Sequence, residues 1–466
     1  MIEPVHVPAR FIGASLVVLM AGLQGDEPAA AMVTALGDRG RRSGQTRVID
    51  AVHQSFALRY ALRAGPVGQA MSRPGNVARS TWDLGQPGKG DGHASSDGQG
   101  HIDMSRIVEV RVDVLKTPVS ASYSAAQNRV DANWQVLARV RTESGVEGFG
   151  YIVQPRGELI GTIASASREL AAALVGMPVS RPEAIWAQMA RRADWVGPGG
   201  LLHWAMTPLD IAVWDAAGRL QGQALFRMLG GYAERVPAYA SDRLWYSLPV
   251  DVLQASVAEH ARAGFRAVKL RLSHTAGAAE QAERVAAACD AAGDGVEVWV
   301  DATEGWSATR AMQIGPALQA AGARWLEDPV HHENLTALAE LARSLQIPVT
   351  GGEHYYTLDQ FRRCFQARAL DVVILDLARV GGITPWRRIA ALAQAFQVPV
   401  CGHVVPEVHV HLLAATPVGH QVEYMPRSAE ILVDMPVPRD GEMAPIDAPG
   451  HGLELDLDAV ERYRVE

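Results

Sequence analysis

The sequence predicts an α/β protein: a parallel β-barrel wrapped by helices, preceded by a smaller α+β domain. Three observations carry this. After Gly231 eight short apolar strands alternate with helical runs, within about 190 residues, which a closed barrel needs and an open doubly wound sheet exceeds. Acidic, basic and histidine side chains recur at the carboxyl ends of those strands, the face on which such barrels place their chemistry. Before Gly231 the pattern is a strand meander followed by helices.

In chain order, residues 1–103 come first and differ from the rest. They contain GDRGRRSG and LGQPGKGDGHASSDGQG, carry one lysine (Lys89) and show little periodicity, which is poor material for a core. They are read as a disordered extension or a mis-called start, with Met104 as the natural start; a real flexible leader is the competing account. The run from Phe11 to Leu23 after Arg10 resembles a signal-peptide core but is shorter than the roughly 18 apolar residues of a membrane helix. Glu3 weakens the positive leader and no Ala-x-Ala site follows promptly. The expectation is a cytoplasmic protein with no membrane span.

Residues 104–230 form the first domain. RIVEVRVDVL, with Ile107, Val108, Val110 and Val112 as its apolar positions, WQVLARVRT and GVEGFGYIV read as a meander up to about residue 153. Residues 157 to about 229 read as helices. In TPLDIAVWDAAGRLQGQALFRMLGG, Ile211, Trp214 and Leu220 fall on apolar faces and a glycine pair ends the segment. The barrel occupies 231–430. Its strands are VPAYAS (236–241), AVKLRL (267–272), VEVWVDA (296–302), RWLEDP (324–329), VTGGE (349–353), VVILD (372–376), VPVCGH (398–403) and QVEYM (421–425), with AAEQAERVAAACDAAG and NLTALAELARSL among the helices between them.

Composition excludes several classes. The 466 residues are 48% hydrophobic and 20% charged, with a formal charge of -8 and no basic stripe, which argues for a globular protein and against a nucleic-acid partner. Three scattered cysteines, Cys289, Cys364 and Cys401, exclude a disulfide framework or thiolate zinc site and suit a reducing compartment. Cys401 stands two residues before His403; it is read as a buried strand cysteine.

Asp301, Glu327 and Glu353 recur every 26 residues at the ends of three consecutive strands. Acids after strands also cap the next helix, and Asp301 before TEGWS would suit that alone; three at equal spacing argue for a ring at the barrel mouth. Hard oxygen ligands without cysteine or histidine suit Mg²⁺ better than Zn²⁺. Such a ring can offset the charge created when a proton is removed beside a substrate carboxylate. Lys269 and Arg271 alternate on the second strand and share a side. His403 faces them from the seventh strand, and Asp376 on the sixth would fix its tautomer and raise its basicity. Glu423, on the eighth, can donate to a substrate carboxylate if protonated, or form a simple salt bridge.

Taken together, KLR (269–271), DATEGW (301–306), WLEDP (325–329), GGEH (351–354), ILDLARVGGITPW (374–386), CGHVVPEVHVHLLAATP (401–417) and QVEYM (421–425), with TPLDIAVWD (207–215) in the first domain, resemble the mandelate racemase branch of the enolase superfamily. The resemblance spans residues 104–466. It implies a modified (β/α)7β barrel, with the α+β domain completed by residues 431–466 as a lid. It implies Asp301, Glu327 and Glu353 as Mg²⁺ ligands, His403–Asp376 as the base dyad, and Glu423 as the acid that donates to the substrate carboxylate. A lysine or histidine base with magnesium stabilising an ene-diolate is the superfamily's general pattern, so these roles rest on the resemblance. It also implies homo-oligomers, dimers or octamers. Loops near Tyr123–Arg129, with Gln127, Asn128 and Arg129, and Trp195–Gly200 are where substrate choice is expected.

Two departures inform the reaction. Arg271 stands where the branch usually has a second lysine, and arginine does not give up its proton; racemisation wants a base on each face. Dehydration needs only His403, which can take the α-proton and return it to the departing β-hydroxyl, with Lys269 and Arg271 holding the substrate. Thr303 and Glu304 stand where Asn and Gln are frequent. The expected function is therefore dehydration of an aldonic or aldaric acid to a 2-keto-3-deoxy acid, a carbon–oxygen lyase reaction. Alternatives are a 2-hydroxy acid racemase or epimerase, for which Lys269 speaks, muconate-like cycloisomerisation, and a catalytically silent structural or regulatory barrel.

Overall fold

The computed structural model describes residues 105–125 and 128–465. The expectations about residues 1–103, Met104 and Gln127 fall outside them. Strands β1 (Ile107–Ala125), β2 (Asn128–Thr142) and β3 (Glu147–Gln154) form an antiparallel sheet in that order. The alternation expected in β1 slips at its start: the register shifts between Ile107 and Glu109, and Val108 turns outward, as a bulge does. Helix 200–221 lies across the sheet. Gly148 and Gly150 allow this close approach, since a Cβ at Gly148 would stand 2.3 Å from the Ala216 backbone nitrogen and one at Gly150 2.5 Å from the Pro208 carbonyl oxygen.

That helix differs from the expectation at both ends. It begins at Gly200, two turns before Pro208, and stops at Gln221, where Gly222 takes a left-handed conformation (φ 65°); a separate turn, 225–228, precedes the glycine pair. Gly222 reverses the chain at no steric cost, so the signal that ends the helix is the earlier glycine.

Eight parallel strands follow: β4 (Val236–Ala240), β5 (Ala267–Arg271), β6 (Glu297–Asp301), β7 (Ala323–Glu327), β8 (Val349–Gly351), β9 (Val372–Asp376), β10 (Val400–His403) and β11 (Gly419–Tyr424). Each pairs with the next, and β11 returns to β4 through Val422–Ala238 and Tyr424–Ala240, closing the barrel. Helices 250–262, 278–292, 308–320, 335–344, 358–367, 383–395 and 406–414 each follow one of β4–β10. The architecture is the (β/α)7β barrel with an α+β domain in front. β12 (Glu442–Met443), antiparallel on β4, had no counterpart in the sequence reading. At the end of the described chain the Val465 amide donates to the Val114 carbonyl (2.9 Å).

Strand alternation layers the barrel interior. Tyr239, Trp299, Trp325, Ile374 and Cys401 form one buried layer, with the two indoles stacked at 4.2 Å. Asp301, Glu327, Asp376 and His403 each lie two residues beyond a member of that layer and stand on it. Cys401 is thus a buried strand residue, as read.

Candidate active site

Register brings the expected residues to one mouth. Arg271 pairs with Asp301, Asp301 with Glu327, and His403 with Asp376 as strand neighbours. β8 is shorter than expected and Glu353 lies two residues past its end; Gly351 and Gly352, both at positive φ, turn the chain there.

On the β5 and β11 side the groups are closed in ion pairs. Lys269 Nζ lies 2.5 Å from Glu327 Oε1 and 3.0 Å from Glu423 Oε1, all three side chains without exposure. Arg271 reaches Asp301 Oδ2 and Glu423 Oε1, both at 3.2 Å. Ser241 Oγ donates to Glu423 Oε1 (2.6 Å) and the Val404 amide donates to Oε2 (3.0 Å). Burial works to neutralise Lys269, but Glu327 and Glu423 overcome it and hold the ammonium above the usual lysine range. Burial likewise opposes charge on Glu423, yet Lys269, His403 and Arg271 hold its carboxyl well below the usual range. These contacts are those of the salt-bridge form, one of the two the sequence left open for Glu423. Five neighbouring donors and cations, Lys269, Arg271, His403, Ser241 and the Val404 amide, favour its charged form.

On the β9 and β10 side His403 Nδ1 meets Asp376 Oδ2 at 2.5 Å, while Nε2 faces Glu353 Oε2 at 3.2 Å and Glu423 Oε2 at 3.9 Å. Its side chain keeps 19% of its exposure. Burial would depress the imidazole, but Glu353 and Asp376 raise it above its ordinary value. Asp376 is itself held by the Arg379 amide (2.8 Å). Val404 and Val405 both sit at φ 44°, a strained conformation for β-branched residues; this double turn aims the Val404 amide at Glu423.

The donor set fits a divalent cation. Asp301, Glu327, Glu353, Asp376 and Glu423 are five carboxylates gathered about Lys269, Arg271 and His403, a concentration of hard oxygen donors at one mouth. Burial pushes the Asp301 carboxyl up, with Lys269 and Arg271 opposing it. Other donors stand one step further out, and the sequence reading did not group them: Asp328–Glu353–His354 and Glu304–His332–His354 each place their ligand atoms within 4.8 Å of one another. The available signal was a second donor one to five residues after each ring acid, namely Glu304, His332 and His354.

Of the expected specificity segments, Arg129 is exposed beside Asp131 (2.8 Å), and Trp195 is 98% exposed, with Val196 at 78%. A cavity of about 540 Å³ is bordered by Asn133, Asp242, Trp245, Met425 and Arg427, and none of the ring or dyad residues lines it. Trp245 lies under the Arg271 guanidinium at 5.2 Å. Among the described residues no helix is long and apolar enough to cross a membrane.

Fold and site together define an enolase-type protein, and sequence comparison agrees. Residues 106–230 match the "Mandelate racemase / muconate lactonizing enzyme, N-terminal domain" family and residues 252–459 the "Enolase C-terminal domain-like" family; the chain belongs to the enolase superfamily. It is similar to a 3,6-anhydro-α-L-galactonate cycloisomerase of Streptomyces coelicolor, 29% identical over 77% of this chain and 99% of that one. A D-galactonate dehydratase of Ralstonia nicotianae is 30% identical over 59% of this chain and 72% of its own. The solved L-talarate/galactarate dehydratase of Salmonella typhimurium, liganded with Mg and L-lyxarohydroxamate, superposes with a TM-score of 0.75 at 25% identity, covering 81% of this chain and 98% of that one.

Proposed function

We propose that this protein is a Mg²⁺-dependent dehydratase of aldonic or aldaric acids. The observation that carries the reading is the asymmetry of the mouth. One oriented imidazole, His403 on Asp376, faces the ring, while the opposite side holds an arginine and a lysine kept charged by Glu327 and Glu423. Relatives named as dehydratases of galactonate and of talarate and galactarate support the substrate class.

Asp301, Glu327 and Glu353 would hold the cation, which when bound offsets charge on the substrate carboxylate. His403 Nε2 takes the α-proton; the electron pair left on carbon forms the double bond as the β-carbon–oxygen bond breaks. The imidazolium returns its proton to the departing hydroxyl, which leaves as water. The resulting enol tautomerises to the 2-keto-3-deoxy acid. Asp376 keeps Nδ1 protonated and Nε2 free to accept. Arg271 and Lys269 orient the substrate and exchange no proton with it.

Screening the purified protein with Mg²⁺ against aldonic, aldaric and anhydro-sugar acids tests this. Keto-acid formation from a stereochemically narrow set is expected; α-proton exchange without keto acid would replace dehydration by racemisation.

A further inference from the structure

Outside the carboxylate ring, each of its acids is followed by a second metal-competent donor: Glu304 three residues after Asp301, His332 five after Glu327, His354 one after Glu353. The loops beyond three adjacent strands thus repeat the ring one tier outward, with nitrogen in place of two of the oxygens.

The local geometry favours a shared guest. Thr303, Glu304 and Asp328 all adopt left-handed backbone (φ 44°, 59° and 40°), which turns these loops toward one another. Glu304 accepts from the His332 amide, and its Oε1 lies 2.7 Å from His332 Nδ1. His354 Nε2 stands 3.9 Å from Glu304 Oε2, 3.7 Å from Glu353 Oε1 and 3.3 Å from Asp328 Oδ2. Despite these neighbours His354 Nε2 makes no hydrogen bond, nor does Oδ2 of Asp328, a residue only 3% exposed. The two atoms face each other as an ion pair, and His354 Nε2 is turned toward Glu304 as well. The imidazoles of His332 and His354 lie nearly parallel, 5.6 Å apart, and the side chains of Glu304, His332 and His354 are 17–18% exposed, so an ion can reach them.

We propose that Glu304, His332 and His354 form a second divalent-cation site, selective for imidazole-preferring ions such as Zn²⁺. Two imidazoles and one carboxylate favour borderline ions, whereas the all-carboxylate ring favours a hard one. The mouth thereby sorts two cations by donor type. Asp328 Oδ2 lies 3.3 Å from the same nitrogen of His354 that faces Glu304, and is a further oxygen donor at the edge of the site.

Calorimetric titration of the full chain with ZnCl₂, after stripping and resaturation with millimolar Mg²⁺, tests the site without substrate. One zinc equivalent is expected to bind wild type, and Glu304→Gln and His332→Gln are each expected to weaken it at least tenfold without shifting thermal unfolding of the metal-free protein. Co²⁺ at the same site should give visible absorption bands that both variants lose. Zinc binding that excess Mg²⁺ abolishes would place the ion in the ring and overturn the proposal, as would equal zinc affinity in wild type and both folded variants.

Discussion

The two sides of the barrel mouth are built from the same materials to opposite ends. On the β5 and β11 side Lys269, Arg271 and Glu423 are buried and joined in ion pairs, which favour their charged forms. On the β9 and β10 side His403 has one firm partner, Asp376, its Nε2 faces the Glu353 and Glu423 carboxylates, and its side chain keeps 19% of its exposure. A charged group becomes an anchor when every neighbour stabilises its charge, and an acid–base catalyst when only one state is partly stabilised.

The largest test of that contrast is His403→Asn. It removes the only base of the proposal, and dehydration should fall by about 10²- to 10⁴-fold while calorimetric Mg²⁺ affinity stays nearly unchanged. Retained turnover would break the comparison. Asp376→Asn should cost less, about 10²-fold, and leaves a further mark. Burial depresses the wild-type imidazole, but Glu353 and Asp376 lift it above 6.5, and only the neutral form can accept a proton. The acidic limb of kcat/KM should therefore move to lower pH in the variant, and an unmoved limb would detach Asp376 from His403.

Arg271→Lys sharpens the contrast from the other side. It keeps the charge but introduces a group that can lose its proton, so slow α-proton exchange on the opposite face should appear in D₂O, read by proton NMR. The smallest effect concerns how the cap is fastened near β9. Asp210 accepts from the Thr384 amide (2.9 Å) and hydroxyl (2.7 Å), and burial, opposed by those bonds, raises its carboxyl from 3.8 to about 7. The folded state thus binds this proton more tightly than the unfolded chain. Its contribution is complete below pH 3.8 and is lost as pH rises through about 7. Asp210→Asn should flatten the dependence of Tm on pH across that window.

The barrel was legible because its strands are short apolar runs whose polar residues come at the carboxyl ends, and because the 26-residue interval ties Asp301, Glu327 and Glu353 to successive units. What escaped depends on more than one segment. Gly222 ends a helix that periodicity alone carried to Gly230. β12 is a strand only because β4 offers it an edge. The surroundings of Glu423 come from Lys269, Arg271 and Ser241, brought from two other strands and their loops. The outer donors were present in the sequence as DATEGW, HHE and GGEH, but only left-handed turns at Thr303, Glu304 and Asp328 bring them together.

The most direct test of the one-base account is to incubate the Mg²⁺-loaded protein in D₂O with both C2 epimers of each acid it converts, following α-proton exchange and keto-acid formation together. The account predicts keto acid from one epimer and no exchange into the other. Exchange into both epimers would show a working base on each face and contradict it.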